Sequence, residues 1–196
     1  MTRDHVPPKN LFPAPRPSDL VTVPACRECN NGASVEDEDF RTYLSLQIGR
    51  QNHLTEKLWF DGAKKSLARR RSLQQQILAS LRPVQVQTKA GIESKTAFEV
   101  PERIYIRVFE RVVRGLYYHH FGRILGKDVP ISISPLVGID DRSMKLLERL
   151  PVAAIGDPAF VYKYAVATED DTSSLWVMQL YEAHWIEATT GRAIDA

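Results

Sequence analysis

Asp4 and His5 stand side by side near the start of the chain, and Cys26, Cys29 and Asn30 follow about twenty residues later. An adjacent carboxylate and imidazole pair a ligand for a hard cation with a group that takes up protons near neutral pH. A Cys-x-x-Cys spacing suits a metal half-site, a redox pair or a turn. Asn30 adds a neutral oxygen donor beside the cysteines. Together these types suit metal-assisted hydrolysis, in which a water must lose a proton and developing negative charge must be held. No other stretch of the 196 residues is as dense in such groups.

Several elements must position them. Pro7, Pro8, Pro13, Pro15 and Pro17 make residues 1–20 read as an extended, pre-ordered loop. Leu20 to Val23 reads as a short strand ending at Pro24, and Asn30-Asn31-Gly32 as a turn. Ser34 with Asp37 three residues on suggests an N-cap and first turn for a helix over about 35–48, with Phe40, Tyr43, Leu44 and Ile48 as its apolar face. The acidic run Glu36 to Asp39 then sits at that helix N-terminus.

The spacing of Leu58, Leu67, Leu73, Ile77, Leu78 and Leu81 predicts one or two helices over about 54–82, with Lys64-Lys65 and Arg69-Arg70-Arg71 on the polar side. A hairpin follows over about 84–100, turning at Lys89-Ala90-Gly91. Ile104, Val108, Val112 and Leu116 define a helix from about 102 to 124, with Gly126 past its end. Arg103, Arg107, Arg111 and Arg114 share one face of it, with Glu110 elsewhere. That stripe is either a solvated or intramolecularly paired surface or a track for phosphates. His119-His120 at its end suits helix-end hydrogen bonding. Ile131–Ser134 is a short strand, 140–150 a short helix, and 160–183 a second hairpin.

The expected class is α+β: a β-loop-β-helix module over 1–50, then a body over 51–196 of helices and antiparallel strands. The apolar fraction of 43% and charged fraction of 26% fit a globular chain. No run is long enough to span a bilayer, and no apolar leader opens the sequence, so a cytoplasmic protein without a membrane partner is expected. The net charge of +2 hides an asymmetry: residues 1–82 carry 13 Lys/Arg against 9 Asp/Glu, and the rest carry 13 against 15. The basic excess lies with the suspected site, as a phosphate ligand would favour.

The phrase Asp4-His5-Val6-Pro7-Pro8-Lys9, followed by Cys26-x-x-Cys29-Asn30-Asn31-Gly32, resembles the HNH endonucleases with their ββα-metal fold, over about residues 2–45. The resemblance implies His5 as general base, Asp4 and Asn30 as ligands of one Mg²⁺ or Mn²⁺ ion, and DNA, or RNA, as partner; Asn31 substitutes for Asn30 if the helix start shifts. It implies Asp19 in the loop-holding, base-orienting place where the family has Asn. In related proteins a Cys pair such as Cys26 and Cys29 joins a second pair on a structural Zn²⁺. This sequence has no further Cys, so that site is incomplete even with His53 as a third ligand. An N-terminal knuckle missing from this chain, or simple packing of the two cysteines at the helix start, would account for that. The alternative expectation is a nucleic-acid-binding module whose site no longer cuts. No thioredoxin-like pattern precedes the cysteines, which argues against redox chemistry.

Overall fold

The computed structural model describes residues 2–27, 32–46, 52–88, 91–136 and 138–191. The chain is α+β. β1 (Thr2–Val6) pairs antiparallel with β2 (Val21–Ala25), with His5 opposite Thr22 and Asp4 opposite Val23. Proline density suggests a loop throughout residues 1–20, yet the first residues form a strand, because every proline lies beyond β1. β2 continues through Pro24, which is tolerated because the sheet has only two strands and each is an edge.

Helix α1 (Ser34–Ser45) follows, then α2 (His53–Leu58), α3 (Lys64–Arg69) and α4 (Arg71–Ser80). Ser34 is not the cap of α1: the preceding Ala33 has helical backbone and no side-chain cap bond forms. Asn52 caps α2 instead, accepting from the Leu54 and Thr55 amides at 3.1 Å each. In the expected stripe over 54–82, Leu58, Leu73 and Ile77 are buried, whereas Leu78 and Leu81 are exposed. The helix breaks at Arg70 and again after Ser80, so a single phase does not run through it.

β3 (Arg82–Thr88) and β4 (Gly91–Ala97) form a separate two-stranded ribbon. α5 (Glu102–Phe121) then buries Ile104, Val108, Val112 and Leu116, the face expected of it, together with Phe109, Val113 and Tyr117. It stops at Gly122 in the left-handed region (φ 65°), sooner than Gly126, and leaves Ile124 exposed. The remaining strands are β5 (Ile131–Pro135), β6 (Val152–Ile155), β7 (Phe160–Val166), β8 (Ser174–Leu180) and β9 (His184–Thr190), with α6 (Asp141–Glu148) between β5 and β6. They make one antiparallel sheet in the order β5-β9-β8-β7-β6.

The hairpin expected over 160–183 is thus the middle of a larger sheet. The turn from β8 to β9 uses Tyr181 and Glu182 at positive φ (52° and 59°), residues that carry no turn signal. Tertiary bonds hold it: the Tyr181 amide donates to Ala159 O at 2.9 Å, and Asn52 Nδ2 donates to Tyr181 O at 3.0 Å.

One core joins the N-terminal elements to the sheet. Val6, Leu11, Phe12 and Val23 pack in the same cluster as Phe40, Leu116, Ile155 and Trp176. Gly115 makes this possible, since a Cβ there would overlap the Val6 side chain where β1 meets α5. No helix among the described residues is long and apolar enough to cross a membrane.

Candidate functional site

The pleat of β1 sends alternate side chains to opposite sides. Val6 lies against α5, and Asp4 shares its side, close enough to Asp37 of α1 for the two carboxylates to repel. His5 and Arg3 take the other side, where Arg3 Nη2 donates to Thr22 Oγ1 at 2.7 Å. Asp4 nevertheless stays tied to its neighbour, because Oδ1 accepts from the His5 amide at 2.8 Å.

His5 is half-buried, and its pKa is lowered below the ordinary histidine value. Burial is the first cause. The positive charges of Lys9, Arg16 and Arg3 add to it and outnumber the opposing Asp4 carboxylate. The three cationic side chains that oppose its protonation are all exposed to solvent.

The loop between β1 and β2 is fastened along its length. Tyr181 donates its hydroxyl proton to Leu11 O, and the Ala14 amide donates to Asp61 at 2.7 Å. Asp19 accepts from the Gly156 amide with both oxygens, at 2.9 and 3.1 Å. Asp19 therefore ties the loop to the turn between β6 and β7. Its carboxylate faces a backbone amide of that turn, a contact that needs only an acceptor.

α1 is positioned by ion pairs that cross to α5 and α4. Arg111 grips Asp37, Arg107 Nη1 reaches Glu36 at 2.7 Å, and Arg70 grips Asp39. Asp37 and Asp39 are nonetheless raised above the ordinary aspartate pKa, because burial outweighs their arginine partners. The acidic run thus does more than face a helix N-terminus: Glu36 and Asp37 are the counterparts of Arg107 and Arg111 in the arginine stripe. Arg114 completes that pattern by bonding the carbonyls of Leu125, Gly126 and Val129, and it meets Glu110 at 3.1 Å. Glu110 is therefore a partner of the stripe, one helical turn before Arg114, and not separate from it. The sequence signal for these pairs was the coincidence of four spaced arginines with four consecutive acids, which periodicity alone does not connect.

Cys29, Asn30 and Asn31 lie outside the described residues. Cys26 follows β2 and is exposed. His53 opens α2 and is also exposed. Among the described residues no three His, Cys, Asp or Glu side chains converge as a metal site. Asp4 fits one hard cation as an anionic oxygen donor, and two thiolates leave a four-coordinate zinc site unfinished. His120, in the last turn of α5, bonds the Tyr162 hydroxyl at 2.8 Å and stacks on Tyr164, so its part is within the core.

No protein-family model, curated protein or solved structure matches the chain.

Proposed function

We propose that the chain is a metal-dependent HNH-type endonuclease that hydrolyses DNA phosphodiester bonds, acting in the cytoplasm. The observation that carries the reading is His5: a half-buried imidazole beside Asp4 on a strand, whose pKa is lowered by burial and by the nearby charges of Lys9, Arg16 and Arg3. A hairpin leading into a helix supports it, as does the fastening of the long loop that bears two of those cations. His5 serves as the general base that takes the proton of the attacking water. Arg3, Lys9 and Arg16 attract the phosphate and offset its charge. A divalent cation held by Asp4 and Asn30 would supply charge stabilisation at the phosphate and the leaving oxygen.

The test is cutting of supercoiled plasmid in Mg²⁺ or Mn²⁺. Wild-type protein nicks it, EDTA stops the reaction, and His5→Ala lowers the rate by about a hundredfold or more. Equal cutting by wild type and His5→Ala overturns the assignment. A second reading, a binding module that does not cut, draws support from Asp19, which faces Gly156 instead of the imidazole. It predicts salt-sensitive DNA binding and no product with either cation.

A further inference from the structure

The β3–β4 ribbon stands apart from the rest of the molecule. Among the described residues its only sizeable contacts are between its own strands. Over residues 82–87 and 91–97 the ribbon is exposed except at Val84, Gly91 and Ala97, which are half-buried. A lone two-stranded hairpin is marginal in water, and a ribbon exposed on both faces is one that a partner completes.

Its two faces differ in chemistry. Residues directly opposite in an antiparallel pair share a face. Gln85 opposite Ser94, Gln87 opposite Ile92 and Pro83 opposite Thr96 make one face without an ionisable group. The other face pairs Val84 with Lys95 and Val86 with Glu93. Amides and hydroxyls are groups that read base edges. Gln can bond adenine N6 and N7 together, and Ser and Thr bond several bases. Two strands about 4.8 Å apart fit the roughly 12 Å major groove of B-DNA.

Charge selects the same partner. Residues 64–95, which lead into and form the ribbon, contain eight Lys/Arg and one acidic residue, Glu93; of the eight, Arg70, Arg82 and Lys95 pair with Asp39, Glu99 and Glu93. Lys64, Lys65, Arg69 and Arg71 are all exposed on the helices just before it. A duplex backbone meets these exposed cations with opposite charge along its whole length.

We infer that the β3–β4 ribbon enters the major groove of duplex DNA and reads sequence through the Gln85, Gln87, Ser94 and Thr96 face, while the cations of α3 and α4 hold the flanking phosphates. This rests on the nuclease reading for the identity of the substrate and adds to it a source of sequence preference.

The experiment separates binding from cutting. His5→Ala protein in EDTA is used to select duplexes from a random-sequence DNA pool, and affinities are then measured by fluorescence anisotropy over a salt series. Enrichment of a site containing A·T pairs is expected. Adding Gln85→Ala and Ser94→Ala lowers the preference for that site over random duplex by about tenfold or more, with random-duplex affinity changed less than twofold. Adding Arg69→Ala and Arg71→Ala instead weakens binding to every duplex and flattens the log–log salt slope by about two. Circular dichroism confirms that these exposed substitutions leave the fold intact.

No enrichment, or an unchanged preference in the Gln85/Ser94 variant, overturns the inference. So does tighter binding to RNA than to duplex DNA. Concentration-dependent self-association abolished by Val86→Lys and Ile92→Lys also overturns it, because the ribbon's partner is then a second copy. Loss of metal-dependent cutting by the otherwise wild-type protein bears only on Asp4 and His5, since selection and affinity are read without catalysis.

Discussion

Among the described residues there are two two-stranded antiparallel ribbons, and they are built to opposite ends. β1–β2 buries Val6 and Val23 in the core beside α5, and its connecting loop is tied down by Tyr181, Asp61 and Gly156. β3–β4 has longer strands and exposes Val86 and Ile92, the latter 72% accessible. Two short strands do not hold themselves in water. The first ribbon takes its missing stabilisation from inside the chain and so becomes a rigid platform for Asp4 and His5. The second leaves that stabilisation to be supplied from outside. Rigid positioning suits a reacting group, and exposed polar alternation suits recognition.

The largest expected effect that would break this contrast lies under the first ribbon. Arg111→Ala leaves Asp37 buried without its partner and should destabilise the protein by about 3–5 kcal/mol, measured by urea denaturation. A loss near zero would mean that α1 is not held against α5 by this pair. Arg107→Ala, on a pair that is largely exposed, should cost far less.

A direct comparison of the two ribbons comes next. Val6→Ala removes two buried methyl groups and should cost about 2 kcal/mol, whereas Val86→Ala should change stability by less than about 0.5 kcal/mol. Equal effects would show that the second ribbon is also packed within the chain. Hydrogen exchange sharpens the same point: amides of β1 and β2 should be protected well beyond those of β3 and β4.

The smallest effect is a control far from either ribbon. Burial lowers the His120 pKa, and the neighbouring His119 lowers it further. The folded protein therefore favours neutral His120, and its contribution is present above the unfolded value near 6.5 and lost as pH falls through the lower folded value. NMR should find its titration midpoint below 6.5, and Tyr162→Phe should move it by removing the 2.8 Å bond. A midpoint above 6.5 would contradict the buried setting at the end of α5.

The parts of this fold legible in the sequence were those with strong local periodicity. α5 announced its buried face through Ile104, Val108, Val112 and Leu116, and β7 and β8 through alternation. What local pattern did not carry was decided by distant contacts. The turn at Tyr181 is stabilised by Ala159 and Asn52, more than twenty and more than a hundred residues away, so no local signal marks where β8 ends and β9 begins. β6 is four residues long and mostly exposed, too short for alternation to register. At the site, the residues with chemical potential were visible by type, but their partners were not. Asp19 was legible as a loop anchor, and only the fold reveals that Gly156 is what it anchors to. The arginine stripe was legible as a charge pattern, and only the crossing of α5 by α1 pairs Arg107 and Arg111 with Glu36 and Asp37.

The most direct measurement is cutting and binding of one labelled duplex by wild type, His5→Ala and Gln85→Ala/Ser94→Ala, each with Mn²⁺ and with EDTA. The account predicts that His5→Ala binds like wild type and leaves the duplex uncut, while the ribbon variant still cuts in Mn²⁺ but no longer favours the selected site. Cutting by His5→Ala at the wild-type rate would contradict it.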